Sequence, residues 1–270
     1  MYMLKKQALG LRGAALLFGI FLAIVAFFVP MDVFGMDHMF AVHMAQHLLL
    51  SLAAPPLMLF SMTAESLSRF FARHHALARC VKCLTIPFVA SALFNGNIWI
   101  WHAPLLMQVM MGSPLFHDIT NLLYLLTGLL FWLPLFDLLP EEMHPLSLGK
   151  KMIYLLFSDM PMMLIGAGLT FSPPLYAFTM TDPPMHMTVT AGDQQLGGLL
   201  MWVVGGVFLL GVVSSVLFLR WMLQQEKQQE ERDRALVAEM TDASLFARPF
   251  QKNEGKLHVQ KNTAMSPALE

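Results

Sequence analysis

Six stretches of this chain are each long and apolar enough to cross a lipid bilayer, and that limits the fold more than any motif does. They run over about 9–29, 39–61, 84–110, 114–136, 152–171 and 195–219. A hydrocarbon core of about 30 Å needs about 20 apolar residues of helix to cross it. Inside lipid the backbone must satisfy its own hydrogen bonds, so each stretch reads as a helix. The expected fold class is an all-α membrane protein, a bundle of about six transmembrane helices. Composition agrees, with 56% hydrophobic and 13% charged residues, against about 25% charged in soluble domains. The third stretch contains Asn95, Asn97 and Pro104, and the fifth contains Asp159, Pro161 and Gly168. The first has a basic start (Lys5, Lys6, Arg12) and then no charge from Gly13 to Val29. That core is longer than the roughly 7–15 residues of a signal-peptide h-region, and Val29-Pro30-Met31-Asp32 lacks a small-x-small cleavage pattern, so it reads as an uncleaved anchor. A net charge of −1 argues against a nucleic-acid partner, and two cysteines cannot build a disulfide framework.

Direction follows from the cations. All 17 Lys and Arg fall in the N-terminal segment (Lys5, Lys6, Arg12), the second-to-third connection (Arg69, Arg73, Arg79, Lys82), the fourth-to-fifth connection (Lys150, Lys151) and the C-terminal stretch from Arg220 onward. The connections 30–38, 111–113 and 172–194 contain none. The positive-inside rule then sets both termini on the cytoplasmic side, N-in and C-in. Residues 1–223 form the six-span domain and 224–270 a short polar cytoplasmic tail. In that tail Gln224 to Glu239 reads as a surface helix, and the chain beyond Thr241 as disordered.

Once direction is set, the ten histidines divide unevenly. His38, His43, His47, His102, His117 and His186 fall toward the outer side, and His74, His75, His144 and His258 in cytoplasmic segments. His43 and His47, spaced i and i+4, lie on one helical face. His102 ends the third stretch, His117-Asp118 opens the fourth, and Asp193-Gln194-Gln195 opens the sixth. A single histidine in a span can simply bond two helices together. Four at one depth point to metal or haem ligation by His43, His47, His102 and His117. Imidazole suits copper, zinc and iron, and thioether sulfur selects Cu(I). The chain has 23 methionines, and Met185-His186-Met187 in a cation-free connection reads as a soft-metal acquisition site. Copper is the favoured ion. Ordinary packing is the alternative for any one methionine.

Two further features carry less. Asp159 reads either as a proton-linked group or as a hydrogen-bond partner of Asn95, Asn97 or backbone opened by Pro161. Cys80-Val81-Lys82-Cys83 is a CxxC with no second copy, so incidental thiols compete with a Cu(I) or redox role.

Several of these segments together resemble the integral-membrane CtaG family, the bacterial cytochrome c oxidase assembly factors. The likeness covers about residues 35–220. It is carried by His43-Met44-Ala45-Gln46-His47-Leu48-Leu49-Leu50 running into Ala54-Pro55-Pro56, and by Trp101-His102-Ala103-Pro104. Gly128-Leu129-Leu130-Phe131-Trp132-Leu133-Pro134 and Asp193-Gln194-Gln195-Leu196-Gly197-Gly198 complete it. The resemblance implies a multi-pass protein of the bacterial inner (cell) membrane that helps mature a haem–copper oxidase by supplying copper to its catalytic subunit. The chain departs from the family at Asn121, where a second histidine tends to follow the first by one turn. Ligand exchange needs no substrate chemistry, and no nucleophile–base pair or phosphate loop occurs, so the protein reads as a chaperone rather than an enzyme. A b-type haem electron carrier, with axial histidines from two spans, is the alternative. A metal transporter built around Asp159 is a weaker one, since no internal repeat relates the two halves. The lipid bilayer and the oxidase are the expected partners, and the sequence leaves a homodimer open.

Overall fold

The computed structural model describes residues 2–28, 39–136, 138–139, 143, 146–176, 179–180 and 187–261. The chain divides into two compact units, Met1–Phe218 and Leu219–Glu270.

The first unit begins with α1 (Tyr2–Phe28). The second crossing is composite: α2 (Met39–Leu48), a π-helical turn (Leu49–Ala53) and α3 (Ala54–Ser61). Two short helices follow, α4 (Ala64–Arg73) and α5 (His75–Leu84). The next elements are α6 (Pro87–Trp101), α7 (Pro104–Met111), α8 (Pro114–Trp132) ending in a 3-10 turn (Leu133–Leu135), and α9 (Leu148–Phe171). A two-residue antiparallel pair, β1 (Thr179–Met180) with β2 (Met187–Thr188), precedes the last crossing. That crossing runs through α10 (Ala191–Leu199), a π-helical stretch (Leu200–Leu210) and α11 (Gly211–Lys261). Among the described residues, five helices are long and apolar enough to cross a membrane, or six if α5 and α6, bent by 78° at Thr85-Ile86, are taken as one span.

The third crossing differs from the expected continuous stretch over 84–110. Its straight part is α6, and the chain breaks at His102-Ala103 before α7. Both ends have the same cause. Pro87 and Pro104 disfavour helical geometry in the residue before each, and each then starts a new helix at its first position.

Burial is inverted relative to a water-soluble domain. Phe18, Phe21, Ile24, Leu156, Phe157 and Leu164 are all more than half exposed, while His43, Gln46, His47, Asn121, Asp193 and Gln194 are buried. An apolar outside around a polar inside is the pattern of helices packed together in a bilayer, where polar groups face the bundle interior. Cross-span hydrogen bonds hold the layers: Trp132 Nε1 donates to Ser51 O (3.0 Å), Tyr154 OH to Phe131 O (2.9 Å) and Asn95 Nδ2 to Ser158 O (3.0 Å). The first of these is made possible by Pro55, which has no N–H to return to Ser51 O one turn back. Close approach does the rest. A Cβ at Gly128 would lie 2.8 Å from Ser51 O, and one at Gly198 would lie 2.7 Å from Gly166 O. The seams of α8 with the π-helical turn and of α10 with α9 therefore meet backbone to backbone, as small residues allow in membranes.

In the second unit, residues 219–241 of α11 are exposed, with an Arg234–Glu230 pair at 3.3 Å one turn apart.

Candidate metal site

The starts of α2, α8 and α10 and the end of α6 meet at one end of the bundle, through contacts between His43 and His117, Met44 and His102, and Phe40 and Asp193. This brings His43, His47, His102 and His117 together, each 8% exposed or less. The i, i+4 spacing brings the His43 and His47 rings edge to face, with centroids 3.9 Å apart and planes at 65°. His43 Nδ1 lies 3.3 Å from His117 Nε2, and the His47 and His102 rings are 6.3 Å apart. Two nitrogens held at about 2.0–2.1 Å by one tetrahedral ion would be about 3.3 Å apart, so the His43–His117 separation suits either a shared proton or a shared cation.

His102 is oriented by its position at the helix break. Its Nδ1 lies 2.7 Å from Ile98 O, which can only accept, so Nδ1 carries the proton. The lone pair is left on Nε2, which faces Met44 Sδ at 3.2 Å. A nitrogen and a thioether sulfur thus present electron pairs toward each other, a donor set suited to Cu(I).

Several buried polar atoms here have no hydrogen-bond partner among the described residues: His43 Nε2, both His47 nitrogens, Asn121 Oδ1 and Tyr124 OH. The Tyr124 ring stacks on His47 at 3.9 Å. An unsatisfied buried donor or acceptor costs about 1–3 kcal/mol, and native interiors rarely leave several together. A cluster like this fits a polar or cationic guest. Among the described residues, however, no three His, Cys, Asp or Glu side chains are already gathered as a metal-binding group. The histidines meet in pairs, and Met44 completes one of them.

Three expectations of site residues resolve differently. Met185 and His186 lie outside the described residues, and Met187 is described only by its backbone in β2. Asn121 stands where a second histidine was expected, and its Nδ2 lies 3.4 Å from His117 Nδ1. It steadies the ring, while Asp118 sits outside with its carboxylate 4.0 Å from that nitrogen. Asp159 makes no hydrogen bond to Asn95 or Asn97. Asn95 binds Ser91 and Ser158, Asn97 binds Thr127 and Trp101, and among the described residues Asp159 Oδ1 has no partner. Cys80 and Cys83 are both exposed on α5.

The sequence reading missed the scaffold around the histidines. Asp193 accepts from the backbone N–H groups of Phe40 and Ala41, both at 2.9 Å, and so caps the start of α2 from another span. Gln194 Nε2 donates to Leu169 O (3.1 Å), Ser172 Oγ and Pro173 O (both 3.2 Å), and Gln194 Oε1 accepts from Leu175 N (2.6 Å) and Tyr176 N (3.2 Å). Tyr176 OH then donates to His102 O at 2.5 Å. Burial pushes the Tyr176 phenol further up, so it stays a hydroxyl donor. The Asp-Gln dipeptide was visible as a polar start to the last crossing, and Tyr124 could have been found from the face shared by His117, Asn121 and Tyr124. Nothing local marks Tyr176.

Residues 4–224 match the family model described as cytochrome c oxidase caa3 assembly factor (Caa3_CtaG). No match was found among curated proteins or among solved structures.

Proposed function

The chain belongs to the cytochrome c oxidase caa3 assembly factors, and from that premise we propose that it carries copper to the oxidase during maturation. Its cargo would be Cu(I), held by His43, His47, His102 and His117 with Met44 as the soft donor. The observation that carries this reading is the set of unpartnered imidazole nitrogens beside a thioether, His102 Nε2 to Met44 Sδ being 3.2 Å. Neutral imidazole and thioether both bind Cu(I) without a change of charge at the ligand, so the ion can be passed on by exchange of ligands to the oxidase catalytic subunit. The direct ring contacts at 3.9 Å, His43 on His47 and His47 on Tyr124, favour an ion over a flat macrocycle between these histidines.

We place both termini in the cytoplasm, because every Lys and Arg lies in the segments on that side. The histidine end then faces outward, the side to which the sequence assigns Met185, His186 and Met187, which would deliver the metal.

The test is anaerobic Cu(I) titration of detergent-purified protein against a competing chelator. Wild type should hold copper and the His43→Ala/His47→Ala protein should release it, with neither showing Soret absorbance. Equal copper in the two proteins sinks the site. Normal copper content in oxidase from cells lacking the protein sinks the delivery role.

A further inference from the structure

The α4–α5 hairpin takes no part in the histidine site, and its chemistry has a separate explanation. Thr63 opens α4 with a capping box, its Oγ1 accepting from Ser66 N (3.1 Å) while Ser66 Oγ accepts from Thr63 N (3.2 Å). Both helices are two-faced. In α4, Leu67, Phe70 and Phe71 share one side, and Glu65, Arg69 and Arg73 follow each other every fourth residue on another. In α5, Leu77, Val81 and Leu84 are apolar against His75, Arg79 and Lys82. The spacing is that of an interfacial helix, whose apolar side sinks to the headgroup–acyl boundary while its cations stay at headgroup level.

Orientation supports this. With α5 bent by 78° from α6, a bilayer crossing by α6 leaves α5 nearly in the membrane plane. The hairpin is tied to the bundle on one side only, where Phe71 is buried and Leu67 and Val81 pack against the core. Phe70 and Leu77 are exposed, and so are Ile86 and Phe88 at the start of the crossing. From 64 to 84 there are four Lys or Arg and one carboxylate. Arg69 spends a donor on the Glu65 backbone carbonyl (3.3 Å), and among the described residues none of the four cations pairs with an acid.

We propose that the α4–α5 hairpin is a binding surface for anionic phospholipid, with Phe70 and Leu77 seated among acyl chains and Arg69, Arg73, Arg79 and Lys82 on headgroup phosphates. Charge complementarity selects anionic lipid over zwitterionic, because unpaired cations held at the interface attract a negatively charged leaflet. The inference does not depend on copper.

The test uses the full chain in nanodiscs of phosphatidylcholine, with and without phosphatidylglycerol. Thermal stability is read in each, and retained lipid is weighed by native mass spectrometry. Wild type should melt higher with phosphatidylglycerol present and keep that lipid through purification, and added salt should erase the difference. The R69Q/R73Q/R79Q/K82Q protein should melt at one temperature in both discs, while R232Q/R234Q in the tail keeps the wild-type response. If the fourfold variant does not fold, R79Q/K82Q should show a reduced shift. No preference in wild type overturns the proposal. So does a preference that survives in the hairpin variants, and so does a hairpin variant that keeps its lipid response but loses co-purification with the oxidase, which would make the occupant an acidic protein surface.

Discussion

Asp193 caps a helix that is not its own. Its two carboxylate oxygens each accept one N–H at the start of α2, 2.9 Å away, and so set where His43 and His47 stand. An amide offers only one oxygen, so Asp193→Asn should strand one buried donor and cost about 1–3 kcal/mol. Thermal unfolding in detergent should show the loss, and Cu(I) affinity should fall with it. Stability and affinity unchanged from wild type would remove Asp193 from the scaffold. Asn121 acts on one ring rather than a whole helix. The Asn121 amide lies beside His117 Nδ1; turned so that its unpartnered Oδ1 accepts Nδ1–H, it leaves the Nε2 lone pair for the metal, so Asn121→Leu should weaken Cu(I) binding about 10–100-fold. The competition titration reads this directly, and an unchanged affinity means that His117 needs no such support.

Among the elements, the π-helical turn Leu49–Ala53 has the clearest origin. Pro55 deprives Ser51 O of its in-helix donor, Trp132 supplies another from α8, and Gly128 lets that helix come close enough to do so. Two segments quoted separately as family-like, Ala54-Pro55-Pro56 and Gly128 to Pro134, are thus opposite sides of one contact. Gly128→Ala should overpack it and cost about 1–3 kcal/mol, since its Cβ would face a backbone carbonyl at 2.8 Å. Gly96→Ala, with no heavy atom within 4 Å of the added carbon, is the matched control. Equal melting temperatures for the two variants would mean that the seam between α8 and the π-helical turn is looser than its geometry implies. The helix break at His102-Ala103 has the same kind of cause, a proline two residues beyond the histidine, and it leaves His102 at a helix end with its ring turned back on Ile98.

For the molecule as a whole, orientation has a ready probe in its own sequence. Cys80 and Cys83 are the only cysteines, and both are exposed on α5. In intact spheroplasts a membrane-impermeant maleimide should leave them unlabelled, and in inverted vesicles it should label them. The opposite pattern would invert the topology and turn the histidine end toward the cytoplasm.

The crossings, the segregated cations and the four histidines were all legible in the chain, because bilayer thickness and helix pitch impose periods that a one-dimensional pattern records. Even the break before α7 had its signal in Pro104. What the pattern could not hold was who meets whom across spans: that Asp193 caps α2, that Tyr176 reaches His102, that Met44 faces the His102 nitrogen. Those pairings join residues tens to more than a hundred positions apart. They arise from helix rotation and close backbone approach, which only packing in three dimensions decides.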